Sequence, residues 1–275
     1  VIIKQVMKIF RKETIKEGIG IYIAISEEMA KNRDLWTKMY EDEPPWVADG
    51  KIKSLGLAGS IASEMARLVT IEMESEITGS ERADYLNEQY QRVVDTLRIQ
   101  TEYGLAKGGL VFKPYVDGEN IAIDYVQADN FYPVAFNSSG DLIGVIFPEI
   151  IKREKNIYTR LEYHHLLPNG VYYISNTAFI KNENIEGLGM EIPLTDVEEW
   201  KDLEPEINLY GLTKPLFSYF KVPLANNKDS TSKLGVSIYS RAEKLIKQAD
   251  RQYTTILWEY EVTELAIDAA LDMFT

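Results

Sequence analysis

At residue 109 the period of the sequence changes. Before it, apolar residues recur three and four apart. After it they alternate, in the runs GLVFKPYV, NIAIDYV, FYPVAF, LIGVIF, NIYTRLEYHHL and VYYISNTAF. Alternation puts successive side chains on opposite faces of a strand, whereas the wider spacing marks one face of a helix. The connecting stretches DGEN and NSSGD supply Gly118 and Gly140 for the positive φ of tight hairpin turns. Strands in succession with no helix between them cannot form a parallel sheet, whose crossovers take about a dozen residues. An antiparallel meander inside an α+β fold is expected.

The segment before 109 reads as helices. VMKIFRKETI has one amphipathic face. SEEMAKNRDLWTKMYED opens on Ser26 as an N-cap and stops at Pro44-Pro45. SLGLAGSIASEMARLVTIEM is a third helix rich in small residues, followed by a short extended stretch at MESEIT. SERADYLNEQYQRVVDTLRIQTEYGLA is a fourth, capped by Gly79 or Ser80 and closed by Gly104 or Gly108. Residues 181–210 hold nine Asp or Glu against two Lys, the pattern of a solvated, acidic connection.

The last element is a long helix, expected from Val236 to Val262 and about 40 Å long. Ser237 or Ser240 can cap it, and SRAE at 240–243 fits a capping box. At 100° per residue, Ile238, Ala242, Leu245, Ile246, Ala249, Tyr253, Ile256 and Tyr260 share an arc of about 100°. Arg241, Lys244, Lys247 and Arg251 lie on the opposite side. The residues beyond 262 offer too little apolar surface to cover the first face. It must therefore lie on the preceding domain, on other subunits or on chain outside this sequence.

Chemistry is sparse. The 43 acidic residues outnumber the 30 basic ones, a net charge of −13, so no broad basic surface exists to hold duplex DNA or an anionic membrane. There is no cysteine for a disulfide or a thiolate metal site. No run is apolar for long enough to span a bilayer. The N-terminal apolar residues are broken by Lys4, Lys8, Arg11 and Lys12, so the start is no signal peptide, and the missing initiator Met suggests part of a longer chain. KGGLVF lacks the glycine spacing of a phosphate cradle and reads as a helix stop and strand start. Glu162 and His164 share a strand face while His165 points away, leaving too few ligands for zinc. Asp117, Asp124, Asp129 and Asp141 sit near strand ends. They read as turn formers, with a two-metal nuclease cluster as the catalytic alternative. No catalytic, cofactor-binding or metal-ligating residue is assigned.

Several stretches together carry a resemblance: NRDLWTKMYEDEPPW, IAIDYVQADNFYPVAFNSSGDLIGVIF, YTRLEYHHLLPNGVYYISNTAF, LTDVEEWKDLEPEI and PLFSYFKVPLANNKDSTSKLGVSIYSRAEKLIKQADRQYTTILWEYE. In this order they resemble the portal proteins of tailed bacteriophages of Gram-positive bacteria, in the subgroup typified by Listeria phages. The resemblance implies a non-enzymatic virion protein without cofactors. It would form a ring of about a dozen copies at one capsid vertex, assembled in the host cytoplasm, through which double-stranded DNA is packaged and ejected. It also implies partners: the major capsid and scaffold proteins, the terminase large subunit, and then head-completion or tail connector proteins, with no membrane.

By that resemblance residues 1–232 are a wing, 233–262 a first stem helix, and 263–275 the start of a clip. The rest of the clip, the second stem helix, the tunnel loop and the crown lie outside this sequence. Ile238, Leu245, Ile246, Ala249, Tyr253 and Ile256 would be a subunit packing face. Arg241, Lys244, Lys247 and Arg251 would be possible DNA-channel contacts, or else a solvated helix face. The other readings are a metal-dependent DNA-processing enzyme and another structural adaptor of the virion.

Overall fold

The structure is a computed structural model that describes residues 12–272. These form α1 (Lys12–Ile19), α2 (Glu27–Tyr40), α3 (Leu57–Thr70), α4 (Glu81–Lys107), β1 (Gly109–Asp117), β2 (Asn120–Gln127), β3 (Tyr132–Phe136), β4 (Leu142–Arg153), β5 (Asn156–Leu166), β6 (Tyr172–Asn182), β7 (Met190–Ile192), β8 (Glu206–Leu209), β9 (Ser218–Lys221) and α5 (Glu243–Asp272). The α+β class is the one expected. Of the first expected helix, residues 6–11 lie outside the described residues; α1 begins inside its second half.

Helix ends follow local chemistry. Ser26 Oγ accepts from Met29 N at 3.2 Å, and Ser80 Oγ accepts from Ala83 N at the same distance. Gly108, at φ +90°, ends α4, and Gly109 starts β1, so the KGG stretch is a helix stop feeding a strand. No side chain fits at Gly108, because a Cβ there would sit 2.8 Å from the Gly235 carbonyl oxygen. The fourfold spacing of Ala58, Ala62 and Ala66 puts one buried small-residue face on α3. The stretch at MESEIT forms no strand.

The expected single meander is instead two antiparallel sheets. One has the order β2-β1-β9; the other runs β3-β4-β5-β6-β7, with β8 also paired to β6. The break is a 3-10 turn at Ala128–Asn130. Ala128, its first residue, and Phe131, just after it, enter a core shared with Val111, Val145, Phe147 and Phe217, and so with both sheets. Burying these side chains outweighs continuing one hydrogen-bond ladder.

Residues 181–210 also differ from the expected solvated connection. They contain β7, β8 and a small core in which Leu194, Val197 and Trp200 pack on Ala178 of β6. The acidic residues keep the outside of this segment wet while widely spaced apolar residues turn inward.

The last helix starts at Glu243 rather than Val236 and continues to Asp272, about 45 Å at the usual rise. Residues 236–242 are held by tertiary bonds that a helix could not satisfy. Ile238 N donates to Leu105 O at 2.9 Å, and Tyr239 OH donates to Trp36 O at 2.7 Å. Successive tight turns bond Ser240 N to Ser237 O and Ala242 N to Tyr239 O. The expected capping box does not form. Ser240 Oγ is buried without a partner, and the Glu243 carboxylate turns to the body of the protein. Residues 273–275, the end of the expected clip segment, lie outside the described residues.

Candidate functional site

The site is the root and free face of α5. Two carboxylates seven residues apart, hence about 10 Å apart along one helix face, clamp the root. Glu243 Oε1 accepts from Trp36 Nε1 at 2.6 Å, and its Oε2 accepts from Lys228 Nζ at 2.6 Å. Asp250, 1% exposed, accepts from Trp46 Nε1 at 2.7 Å and from Leu55 N at 2.9 Å. Every carboxylate oxygen thus has a donor, the condition under which a buried charge is tolerated. Thr254 Oγ1 extends the row, accepting from Lys53 N at 2.9 Å and donating to Asp250 O at 2.8 Å.

The strap between β9 and α5 is tied down rather than loose. Asn226 Oδ1 accepts from Lys228 N and Asp229 N, both at 2.9 Å, and Gly235 N donates to Tyr219 OH at 3.1 Å. Lys228, so placed, reaches Glu243.

The six residues of the expected packing face do not share one environment. Ile238 is partly buried and packs against the chain's own core, and Ile246, 5% exposed, lies within it. Ala249 and Tyr253 are half-buried, while Leu245 and Ile256 are 67% and 49% exposed. The reason is a rotation of the contact. Glu243, Ile246, Asp250, Tyr253 and Leu257 fall within roughly 80° and face the body. Leu245, Ala249, Ile256 and Tyr260 make a neighbouring stripe within roughly 60°. From Trp258 to Glu264 every side chain is exposed, Trp258 at 60% and Tyr260 at 73%.

Of the expected basic contacts, Arg241, Lys244 and Arg251 are exposed. Lys247 is not equivalent to them: it is half-buried, with Nζ 5.6 Å from the centre of the Trp46 ring. No Lys or Arg follows Arg251 in the sequence, and Glu259, Glu261 and Glu264 are exposed. The open side of α5 is therefore basic near the body and acidic farther out. Sequence reasoning places Glu243 in a capping box and gives no role to Asp250, Trp36 or Trp46. The available signal was Asp250 itself, a charge set between Ile246 and Tyr253 on the apolar face.

The other candidates resolve into structural roles. Glu162 bridges the sheets: it meets Lys113 of β1 at 2.6 Å, His164 Nε2 at 2.6 Å and Arg160 at 3.3 Å. Burial alone would raise its carboxyl. The His164 hydrogen bond and the neighbouring Lys113, His164 and Arg160 charges outweigh that and hold it at about 2. His164 Nδ1 pairs with Tyr172 OH at 2.8 Å, and His165 Nδ1 pairs separately with Tyr163 OH at 2.6 Å. Asp129 is bonded to Lys107 at 2.5 Å, and Asp141 closes its hairpin through Asn137. Asp124 lies opposite Lys113 in the β1–β2 register, and Asp117 opposite Asn120. Among the described residues no three His, Asp or Glu side chains converge as metal ligands would, and no helix is long and apolar enough to cross a membrane.

A family model described as phage portal protein, SPP1 Gp6-like, matches residues 55–269, most of the chain. The match takes in α3 to α5 and both sheets and begins after Trp36 and Trp46. No curated protein matches the chain.

Proposed function

The chain belongs to the phage portal protein family, and we propose that it is a non-catalytic subunit of a ring-shaped channel at one capsid vertex. DNA passes through the ring during packaging and ejection. The residues before α5 are the wing and α5 is the first stem helix, leading toward the clip. Within the family, the stretches quoted above favour the subgroup of Listeria phages. Assembly takes place in the host cytoplasm, and the ring meets capsid and scaffold proteins, the terminase large subunit, and later head-completion or tail proteins.

The observation that carries this reading is α5 itself. It is clamped to its own subunit through Asp250 and Thr254, yet exposes Leu245, Ile256, Trp258 and Tyr260. Such a stripe suits a heterologous ring interface, where each copy covers its neighbour. The subunit packing face is then Leu245, Ala249, Ile256 and Tyr260, with Ile246 assigned to the fold. Arg241, Lys244 and Arg251 are the basic groups free to meet passing DNA. A net charge of −13 suits a conduit that must let DNA slide, because extensive phosphate binding would hold it in place.

Electron microscopy of the full-length protein tests the reading. Closed rings with a central channel are expected. Monomers or dimers alone, with or without capsid partners, would overturn it.

A further inference from the structure

Arg33 of α2 is 5% exposed. Its Nη1 reaches the Phe131 carbonyl only at 3.3 Å, and its Nε–H has no acceptor. Among the described residues it forms no ion pair with a carboxylate. Asp129, whose charge it feels, gives one oxygen to Lys107 at 2.5 Å, while the other oxygen, Oδ1, is buried without a partner. Tyr219 OH accepts from Gly235 N at 3.1 Å, and its own proton has no acceptor among the described residues. Two donors and one acceptor are thus left over in one buried neighbourhood.

Arg33, Lys107, Gly108, Tyr219 and Gly235 line a cavity there, with about 10 Å³ of room for the centre of a water-sized sphere. That is room for one water. Leaving such groups unsatisfied costs about 1–3 kcal/mol each, more for a charged group. A single water can accept from both Arg33 Nε–H and Tyr219 O–H with its two lone pairs, while Asp129 stands behind the lining residues Lys107 and Ala128. A halide could take the two donors but would meet the Asp129 carboxylate unfavourably.

We propose that this cavity is a binding site for one internal water, held by Arg33 and Tyr219. It lies beneath the crossing of Gly108 and Gly235, where the strap passes toward α5. The water would join α2 to β9, and through Tyr219 to the strap itself.

A crystal structure of the full-length protein, with a second crystal soaked in bromide, tests this. The expected result is one ordered oxygen within hydrogen-bond distance of Arg33 Nε and Tyr219 OH, with no anomalous bromide peak. A bromide peak would overturn the assignment in favour of a halide, and a dry cavity would overturn it altogether. Arg33→Met, which puts a methyl group where Nε stands and removes the guanidinium, should lose the water in a chain that still folds. A water retained in the same place would show that Arg33 does not hold it. None of these outcomes depends on whether the protein forms rings.

Discussion

Trp46 and Asp250 lie 204 residues apart in sequence and share a 2.7 Å hydrogen bond at the root of α5. The indole N–H has one natural use when buried, as a donor, and the Asp250 carboxylate would be costly to bury without it. Each residue therefore accounts for the position of the other.

Removing the acceptor should accordingly cost more than removing the donor. Asp250→Ala strands both Trp46 Nε1 and Leu55 N and is expected to lower unfolding stability by about 2–4 kcal/mol. Trp46→Phe leaves Asp250 with its second donor and should cost less. Urea unfolding of the two variants checks the order; equal effects would mean the clamp contributes little beyond packing.

Stability and assembly should separate along α5. Ile246→Asp puts a charge into the chain's own core and is expected to cost several kcal/mol in the isolated subunit. Leu245→Glu with Ile256→Glu should shift subunit stability by only about 0.5 kcal/mol, since both sites are exposed, while blocking ring formation. Chemical denaturation and electron microscopy of the same variants read out the two effects. Rings from the double variant would remove the stripe from the interface.

The exposed basic groups can be tested apart from Lys247. Arg241, Lys244 and Arg251 changed together to Gln should leave rings intact and alter DNA packaging, because neutralising phosphate contacts weakens binding uniformly. Lys247→Gln instead removes a cation from the Trp46 ring and should act on stability, by about 0.5–1 kcal/mol. Packaging unchanged in the triple variant would make these residues a solvated face.

Acid should loosen the joint between the sheets. The Glu162 carboxyl, ordinarily at 4.5, is held at about 2 in the fold. A depressed folded value means that the charged form stabilises the native state above about 4.5, and that this contribution is lost as pH falls toward about 2. Its size is on the order of 3 kcal/mol. Glu162→Gln should be less stable at neutral pH and show a flatter acid limb in thermal melts from pH 5 to 2. Parallel limbs for the two proteins would assign the acid sensitivity elsewhere.

Elements governed by neighbours in sequence could be read directly. Ser80 and Gly108 bound α4 because a hydroxyl cap and a positive φ are local requirements, and Gly118 and Gly140 turn their hairpins for the same reason. Features decided by distant burial could not. Nothing near Ala128 and Phe131 announces that they divide the strands between two sheets, and Leu194, Val197 and Trp200 are too irregularly spaced to stand out from an acidic run. The seven residues before Glu243 follow the helical period, yet bonds to Leu105 and Trp36 hold them in turns. The exposed apolar stripe of α5 is rotated from the arc that the sequence marks, because periodicity gives the existence of an apolar arc and not which part of it the body covers.

The two clamps on α5 make it a cantilever. Its supports, at Glu243 and Asp250, stand about 10 Å apart, while the helix runs on roughly 33 Å from Asp250 to Asp272. A sideways force at the tip would therefore reach the two indole–carboxylate bonds as opposed forces multiplied about three-fold or more, one bond pulled while the other is pressed. Part of any lateral load on this helix is borne by Trp36 and Trp46, side chains on segments that begin long before the helix does.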